Sequence, residues 1–225
     1  MIITMPFIII PLLISDRLGG ISFFFVRLWV RMFSLPTFVF FKRHGTEFIE
    51  KGKPYIFTIS HTSFLDAPAI PVSIPVQMRG LGKKELSKIP LFGFVTSRFA
   101  VWVDRTSQES RKKSIEKMMA TLNKGISIMV APEGTRNDSS EPLLPFYNGP
   151  FRLAIETGVP IIPVVIYNAK RLMPKGKISL KPGTIHSYLL PPVITATLTE
   201  DDLPVLKEKV FQMMKKKIES LDKLG

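Results

Sequence analysis

Two runs, PYIFTIS at residues 54–60 and PIIPVVI at 160–166, are apolar at nearly every position instead of every second one. A strand with one face in water alternates, so a strand that is apolar throughout is buried on both faces, as in a parallel sheet covered by helices. Further strands are expected at 76–82, 101–103 and 126–130, and shorter β segments from 177 to 195. Helical patterns fall between them. The clearest spans 107–123, with Ile115, Met118, Met119 and Leu122 on one face and Gly125 just past its end. Others are expected at 63–72, 149–158 and about 202–222, and an irregular helical region at 84–99 is broken at Pro90. The last helix opens behind Thr199 and three acidic residues and aligns Leu206, Val210, Met214, Ile218 and Leu221. Strands alternating with helices predict an α/β fold with a mostly parallel or mixed central sheet flanked by helices.

The N-terminus has a different character. Residues 2–15, IITMPFIIIPLLIS, are almost wholly apolar, and 21–41, ISFFFVRLWVRMFSLPTFVFF, nearly so. The first run is shorter than the roughly 20 residues a bilayer core requires, and Pro6 and Pro11 are expected to break it as a regular helix. The second has the length, but Arg27 and Arg31 share a helical face, and a charge at mid-bilayer costs at least roughly 2.5 kcal/mol. Residues 1–42 therefore read as a membrane-associated helical segment lying in the interface, arginines among lipid phosphates, ahead of an α/β domain at 43–225. A buried core hairpin is the competing reading of the same residues. A signal peptide fits less well, because no Lys or Arg precedes the apolar run and no small-x-small site follows it.

Composition narrows the chemistry. The chain has no cysteine, which excludes disulfides, thiolate metal sites and a cysteine nucleophile. Its net charge of +13 implies attraction to an anionic partner: a phospholipid surface, a phosphorylated metabolite, an acidic protein or nucleic acid. No G-x-S-x-G, Walker loop, G-x-G-x-x-G or H-E-x-x-H occurs, and the three histidines at 44, 61 and 186 are far apart, so no metal site is expected.

One histidine has a carboxylate at a suggestive distance. ISHTSFLD, 59–66, closes a strand with His61 and places Asp66 five residues on. In a continuous helix the two would diverge by about 140°. With His61 in the turn before the helix and Asp66 in its first turn, the carboxylate can reach one imidazole nitrogen and leave the other as a base, at the strand end where open α/β sheets bind ligands. A histidine with a purely structural role is the alternative. Two other strand ends carry polar groups: Asp104 and Arg105, then Glu133, Gly134, Thr135 and Arg136. The glycine permits close backbone approach, and the arginine offers a planar fork for phosphate; a surface ion pair and a plain turn explain the same residues.

In chain order, SHTSFLD (60–66), KKELSKIPLFG (83–93), FAVWVDR (99–105), APEGTRN (131–137) and VPIIPVVI (159–166) resemble the motif blocks of glycerolipid acyltransferases, above all the 1-acyl-sn-glycerol-3-phosphate acyltransferase family. Ser60 stands where that family often has asparagine, and Ala131 where it often has phenylalanine. The resemblance implies that His61 is the general base on the sn-2 hydroxyl of lysophosphatidic acid and that Asp66 orients it. It further implies that Arg105, Glu133, Gly134, Thr135 and Arg136 bind the glycerol phosphate. The acyl donor would be acyl-CoA or acyl carrier protein, with no bound cofactor, and the product phosphatidic acid. Lys83 and Lys84 are candidate contacts to donor or phosphate, or simply a solvated helix face. Membrane lipids are the expected surroundings, with an interfacial placement on the cytoplasmic face, and nucleic acid is not an expected partner. Acyl transfer to another lysolipid or to glycerol 3-phosphate is the nearest alternative; a non-catalytic basic binding protein is a more distant one.

Overall fold

The computed structural model describes residues 4–15, 18–88, 99–104, 107–174 and 179–223. Two helices, α1 (Met5–Ile14) and α2 (Gly19–Thr37), lead into β1 (Val39–His44). There follow β2 (Ile56–Ile59), α3 (Asp66–Ser73), β3 (Met78–Lys83), β4 (Ala100–Val103), α4 (Gln108–Asn123) and β5 (Ser127–Val130). The chain ends with α5 (Gly149–Thr157), β6 (Ile161–Tyr167), the single turn α6 (Ala169–Leu172), β7 (Gly183–Leu189) and α7 (Leu203–Asp222). The strands form one sheet in the order β1-β7-β6-β2-β5-β3-β4, parallel throughout except for the antiparallel pair β6–β7. The expected α/β fold with a mostly parallel, mixed sheet is thus present.

The two apolar runs occupy the interior of that sheet. Every residue of β2 is buried, as are the first six of β6. On one face Ile56, Ile128, Ile161 and Val165 pack with Met118 and Leu122 of α4, Phe151 of α5 and Leu206, Val210 and Met214 of α7. On the other, Phe57, Ile59, Ile162 and Val164 pack with Phe23 of α2, while Val39, Ile166 and Ile185 pack with Leu65 and Ala69 at α3. Burying a large aliphatic side chain contributes about 1.5–3 kcal/mol, so these two layers supply the main drive for folding. The stripe read on the last helix lies in the first layer; Thr199 and Asp202 close a capping box one turn ahead of α7.

The N-terminal segment departs from expectation in three ways. α1 is helical across Pro11, with Pro6 at its start. At the first turn proline removes only an amide that had no partner, and at Pro11 the break does not propagate because the helix packs along α2, with Phe7 stacked on Phe25 at 4.9 Å. Arg27 turns inward onto protein: its Nε donates to Pro71 O at 2.8 Å and its Nη2 to Ile74 O at 3.2 Å, satisfying carbonyls at the C-terminal end of α3. Finally, the aromatic run read as ending at residue 41 is split at Phe38, whose left-handed backbone (φ 53°) stops α2 and starts β1. β1 therefore runs through residues 42 and 43 and pairs in parallel with β7.

α2 is apolar on two sides. Phe23 and Val30 face the core, whereas Ile21, Phe24, Leu28, Met32 and Leu35, spaced three and four apart, are exposed. Phe7, Ile10 and Ile14 of α1 are exposed as well. No helix among the described residues is long and apolar enough to cross a membrane.

Candidate active site

Parallel pairing brings the C-terminal ends of β2, β5, β3 and β4 to one edge of the sheet, and the polar strand ends of the sequence meet there. His61 lies two residues beyond β2, and Asp66 is the first residue of α3. Asp66 is fully buried, and its Oδ2 accepts three hydrogen bonds: from His61 Nδ1–H at 2.9 Å, from the Thr62 amide at 2.7 Å and from the Ser63 amide at 2.9 Å. The turn between strand and helix is thus folded around one carboxylate oxygen. Nδ1–H donation fixes the imidazole tautomer and leaves Nε2 as a basic nitrogen on a ring that is 31% exposed. The Thr62 and Ser63 amides are spent on Asp66, so neither is available to a developing oxyanion.

The loop after β5 holds His61 from the other side. Glu133 is 3% exposed; its Oε1 accepts from the His61 amide at 3.1 Å and its Oε2 from the Leu144 amide at 2.8 Å. The buried Asn137 donates its own amide to His61 O at 2.7 Å. Its side chain ties the loop ahead of it, Nδ2 donating to Glu141 O and Oδ1 accepting from the Ser139 amide and hydroxyl. Both main-chain polar groups of His61 are therefore clamped. Burial pushes the Glu133 carboxyl above its ordinary range, and the two amides and the neighbouring imidazole only partly pull it back.

Of the residues expected to bind substrate, Glu133 has its carboxylate turned onto backbone. Gly134 adopts φ +70°, a conformation that costs a side-chain-bearing residue about 1–2 kcal/mol, and the turn it makes leaves Thr135 exposed. Arg136 lies over Phe64, its Cζ 3.8 Å from the ring centroid, and Phe64 belongs to the His61–Asp66 turn. The planar guanidinium is thereby held beside the dyad. Lys83 and Lys84 stand on the next strand end, but each faces an acid: Lys83 Nζ is 3.6 Å from Glu85 Oε1, and Lys84 Nζ 3.6 Å from Asp104 Oδ2. Arg105, and residues 89–93 of the second motif block, lie outside the described residues. Among the described residues no cluster of three or more metal-ligating side chains occurs.

Sequence reading missed Asn137 and Ser63. Ser63 Oγ donates to Met173 O at 3.0 Å and accepts from the Leu65 amide, pinning the α3 turn to the end of α6. A serine or asparagine one to three residues beyond a candidate site residue was the available signal, since both types favour turns that bond to nearby backbone. Behind the turn, on the α7 side, a cleft of about 380 Å³ is lined by Ser60, Thr62, Asn137, Tyr167, Arg171 and Asp222, among others.

A nitrogen base aimed by a buried carboxylate, with an arginine stacked beside it at a sheet edge, suits proton abstraction next to an anionic group. Comparison with known proteins gives that arrangement a family. A solved structure entitled 1-acyl-sn-glycerophosphate (LPA) acyltransferase, PlsC, from Thermotoga maritima superposes with a TM-score of 0.77 at 25% identity, over 92% of this chain and 82% of that one. The 1-acyl-sn-glycerol-3-phosphate acyltransferase of Saccharomyces cerevisiae is 31% identical over 80% of this chain and 59% of its own length. The human 1-acyl-sn-glycerol-3-phosphate acyltransferase alpha is 30% identical over 76% and 60%. The chain thus spans about three-fifths of the length of these relatives. Residues 21–167 match the acyltransferase family along their whole extent, from α2 to the end of β6, and the chain belongs to that family.

Proposed function

We propose that the protein acylates the sn-2 hydroxyl of 1-acyl-sn-glycerol 3-phosphate, taking the acyl group from acyl-CoA or acyl carrier protein and forming phosphatidic acid. The observation that carries this reading is the His61 Nδ1–Asp66 Oδ2 bond, which leaves Nε2 as the proton acceptor. Nε2 removes the hydroxyl proton as the oxygen attacks the thioester carbonyl. The tetrahedral intermediate collapses with cleavage of the C–S bond, and the imidazolium returns the proton to the departing thiolate. Asp66 stabilises the imidazolium between these steps. Arg136 supplies a fixed guanidinium for the acceptor's phosphate, within reach of the same turn.

The acceptor lives in a bilayer, and the exposed apolar faces of α1 and α2 suit insertion into the interface. The +13 charge would add attraction to anionic lipid, at roughly 1 kcal/mol per well-placed cation. We therefore read the protein as interfacial, taking its acceptor laterally from the leaflet. The test is purified protein with lysophosphatidic acid and a thioester donor, alongside His61→Ala. Product is expected from the wild type, with a loss of about 10²–10⁴ in the variant. Turnover retained by a folded His61→Ala protein would reject the assigned base.

A further inference from the structure

At the outer end of the sheet the face on the α7 side is only partly covered, with His186 and Tyr188 half-buried and Tyr188 packed against the α7 layer. On the α3 side, β1 and β7 bury Val39, Ile185 and Ser187. On the α7 side, Phe40, Lys42 and His44 of β1 stand beside His186 and Tyr188 of β7, and α7 reaches them through Lys217, whose Nζ lies 4.1 Å from the Tyr188 ring centroid. Phe40, Lys42 and His44 are exposed. The rings of His44, His186 and Tyr188 stack nearly parallel, with His44 centroids 4.5 Å from Tyr188 and 5.5 Å from His186, and His44 Nε2 is 3.2 Å from His186 Nδ1. Burial, His44 and Lys42 hold His186 below the usual histidine range, which favours its neutral ring. Two lysines flank this aromatic platform, and neither Lys42 nor Lys217 has a carboxylate partner among the described residues.

An aromatic centre flanked by two lysines suits docking of a protein partner of the opposite sign; Asp222, beside Tyr167 on the same side, is taken up by Tyr167 and Arg171. Position argues against lipid. The apolar stripe of α2 belongs to the opposite side of the sheet, so a bilayer beneath α1 and α2 leaves this platform facing water. Position also links it to the dyad. Lys42 pairs in register with His186, and His186 with Tyr167, so two strand spacings, about 10 Å, separate Lys42 from Tyr167. Tyr167 lines the cleft whose wall includes Ser60 and Thr62, the residues on either side of His61.

We propose that the β1–β7 platform docks the acidic surface of an acyl carrier protein, whose flexible arm passes Tyr167 and crosses the Thr62 rim of the cleft to reach His61. The inference rests on the acyl transfer proposed above and names which donor the molecule is shaped to receive. A free CoA thioester would need only the cleft; the platform lies beyond it and spans two strands.

The test is Lys42→Glu combined with Lys217→Glu, assayed with lysophosphatidic acid in detergent micelles and two matched donors, palmitoyl acyl carrier protein and palmitoyl-CoA. The KM for the carrier donor is expected to rise about tenfold or more, as for loss of complementary rim charges, with kcat and KM for palmitoyl-CoA unchanged as the control for folding. Added salt should reproduce the effect in the wild type. An unchanged KM for the carrier donor, or an equal loss with both donors, overturns the proposal. So does a variant that keeps carrier use but no longer sediments with phosphatidylglycerol vesicles, which would make the platform a membrane face. If the wild type transfers from neither donor, the acyl-transfer reading is what fails. Fluorescence anisotropy of labelled acyl carrier protein then decides docking alone: binding to the wild type, lost in the double variant, supports it, and no binding overturns it.

Discussion

Glu133 grips the main-chain amide of His61, 72 residues earlier in the chain, and with its second oxygen the amide of Leu144. Glutamine has one acceptor where two are needed, so Glu133→Gln should leave a buried amide facing an NH₂ group. A loss of about 1–3 kcal/mol is expected. Misplacement of His61 should lower kcat by about tenfold or more, since small shifts of a catalytic group are costly. The pH dependence has a definite sign. Burial raises the native carboxyl above its ordinary value near 4.5, so the folded state holds this proton more tightly than the unfolded chain. Its stabilising contribution is full below that ordinary value and falls as pH rises through the raised native one. The difference in urea-unfolding free energy between wild type and Glu133→Gln should therefore be largest near the acid end and shrink toward neutrality. A difference that grows with pH would show that the carboxylate form is the one favoured by folding.

Arg136 offers a second measurement. Its guanidinium lies over the Phe64 ring, Cζ 3.8 Å from the centroid, and an ammonium offers no planar fork in the same place. Arg136→Lys should keep the charge but lose the planar, two-bond contact proposed for the phosphate, lowering kcat/KM for lysophosphatidic acid about ten- to a hundredfold, the equivalent of about 1.5–3 kcal/mol for a charged hydrogen-bonded contact. The loss should appear mainly in KM. If the lysine variant discriminates between lysophosphatidic acid and a phosphate-free acceptor as well as the wild type does, the arginine is not the phosphate contact.

These contacts differ in how plainly the sequence carries them. β2 and β6 were legible because a buried parallel strand must be apolar throughout, and α4 because Ile115, Met118, Met119 and Leu122 repeat at helical spacing. His61 and Asp66 were legible as a pair because the strand-to-helix turn that joins them is short. β1 was not, since VFFKRH continues the aromatic run of α2 and only the left-handed Phe38 divides them. The grip of Glu133 and the inward turn of Arg27 share a further reason: their partners are backbone amides and carbonyls, and every residue type but proline offers both. A side chain's backbone partner is fixed by tertiary placement, which local pattern does not encode. The His44–His186 contact, 142 residues apart, depends on the register of β1 with β7.

The exposed stripe of α2 predicts where the protein meets lipid. Leu28 and Leu35 face outward, Leu35 at 70% exposure, and neither belongs to the buried core. Removing two leucines from an apolar phase costs about 1.5–3 kcal/mol each, so Leu28→Glu with Leu35→Glu should reduce sedimentation with phosphatidylglycerol vesicles by well over tenfold. The melting temperature should hardly change, because the substituted positions already contact solvent. Unaltered vesicle binding would place the membrane contact elsewhere, and a sharp drop in melting temperature would mean that the stripe packs against protein.

Asp66→Asn separates the aim of the imidazole from its charge. An asparagine Oδ1 placed where Oδ2 now sits can still accept from the Thr62 and Ser63 amides, so the turn should keep its shape. What disappears is the negative charge that, in the proposed mechanism, stabilises the imidazolium between proton removal and proton return. Turnover should fall by about 10²–10⁴, the range attributable to one positioned acid–base group, with KM for lysophosphatidic acid little altered because Asp66 is buried behind His61. Asp66→Ala should add a stability loss of about 1–3 kcal/mol, since the amides of the turn would then lack an acceptor. The informative comparison is kcat for the asparagine variant against its melting temperature. A fall in both together would make Asp66 a turn-forming residue first, whereas a fall in kcat alone assigns it to the proton transfer.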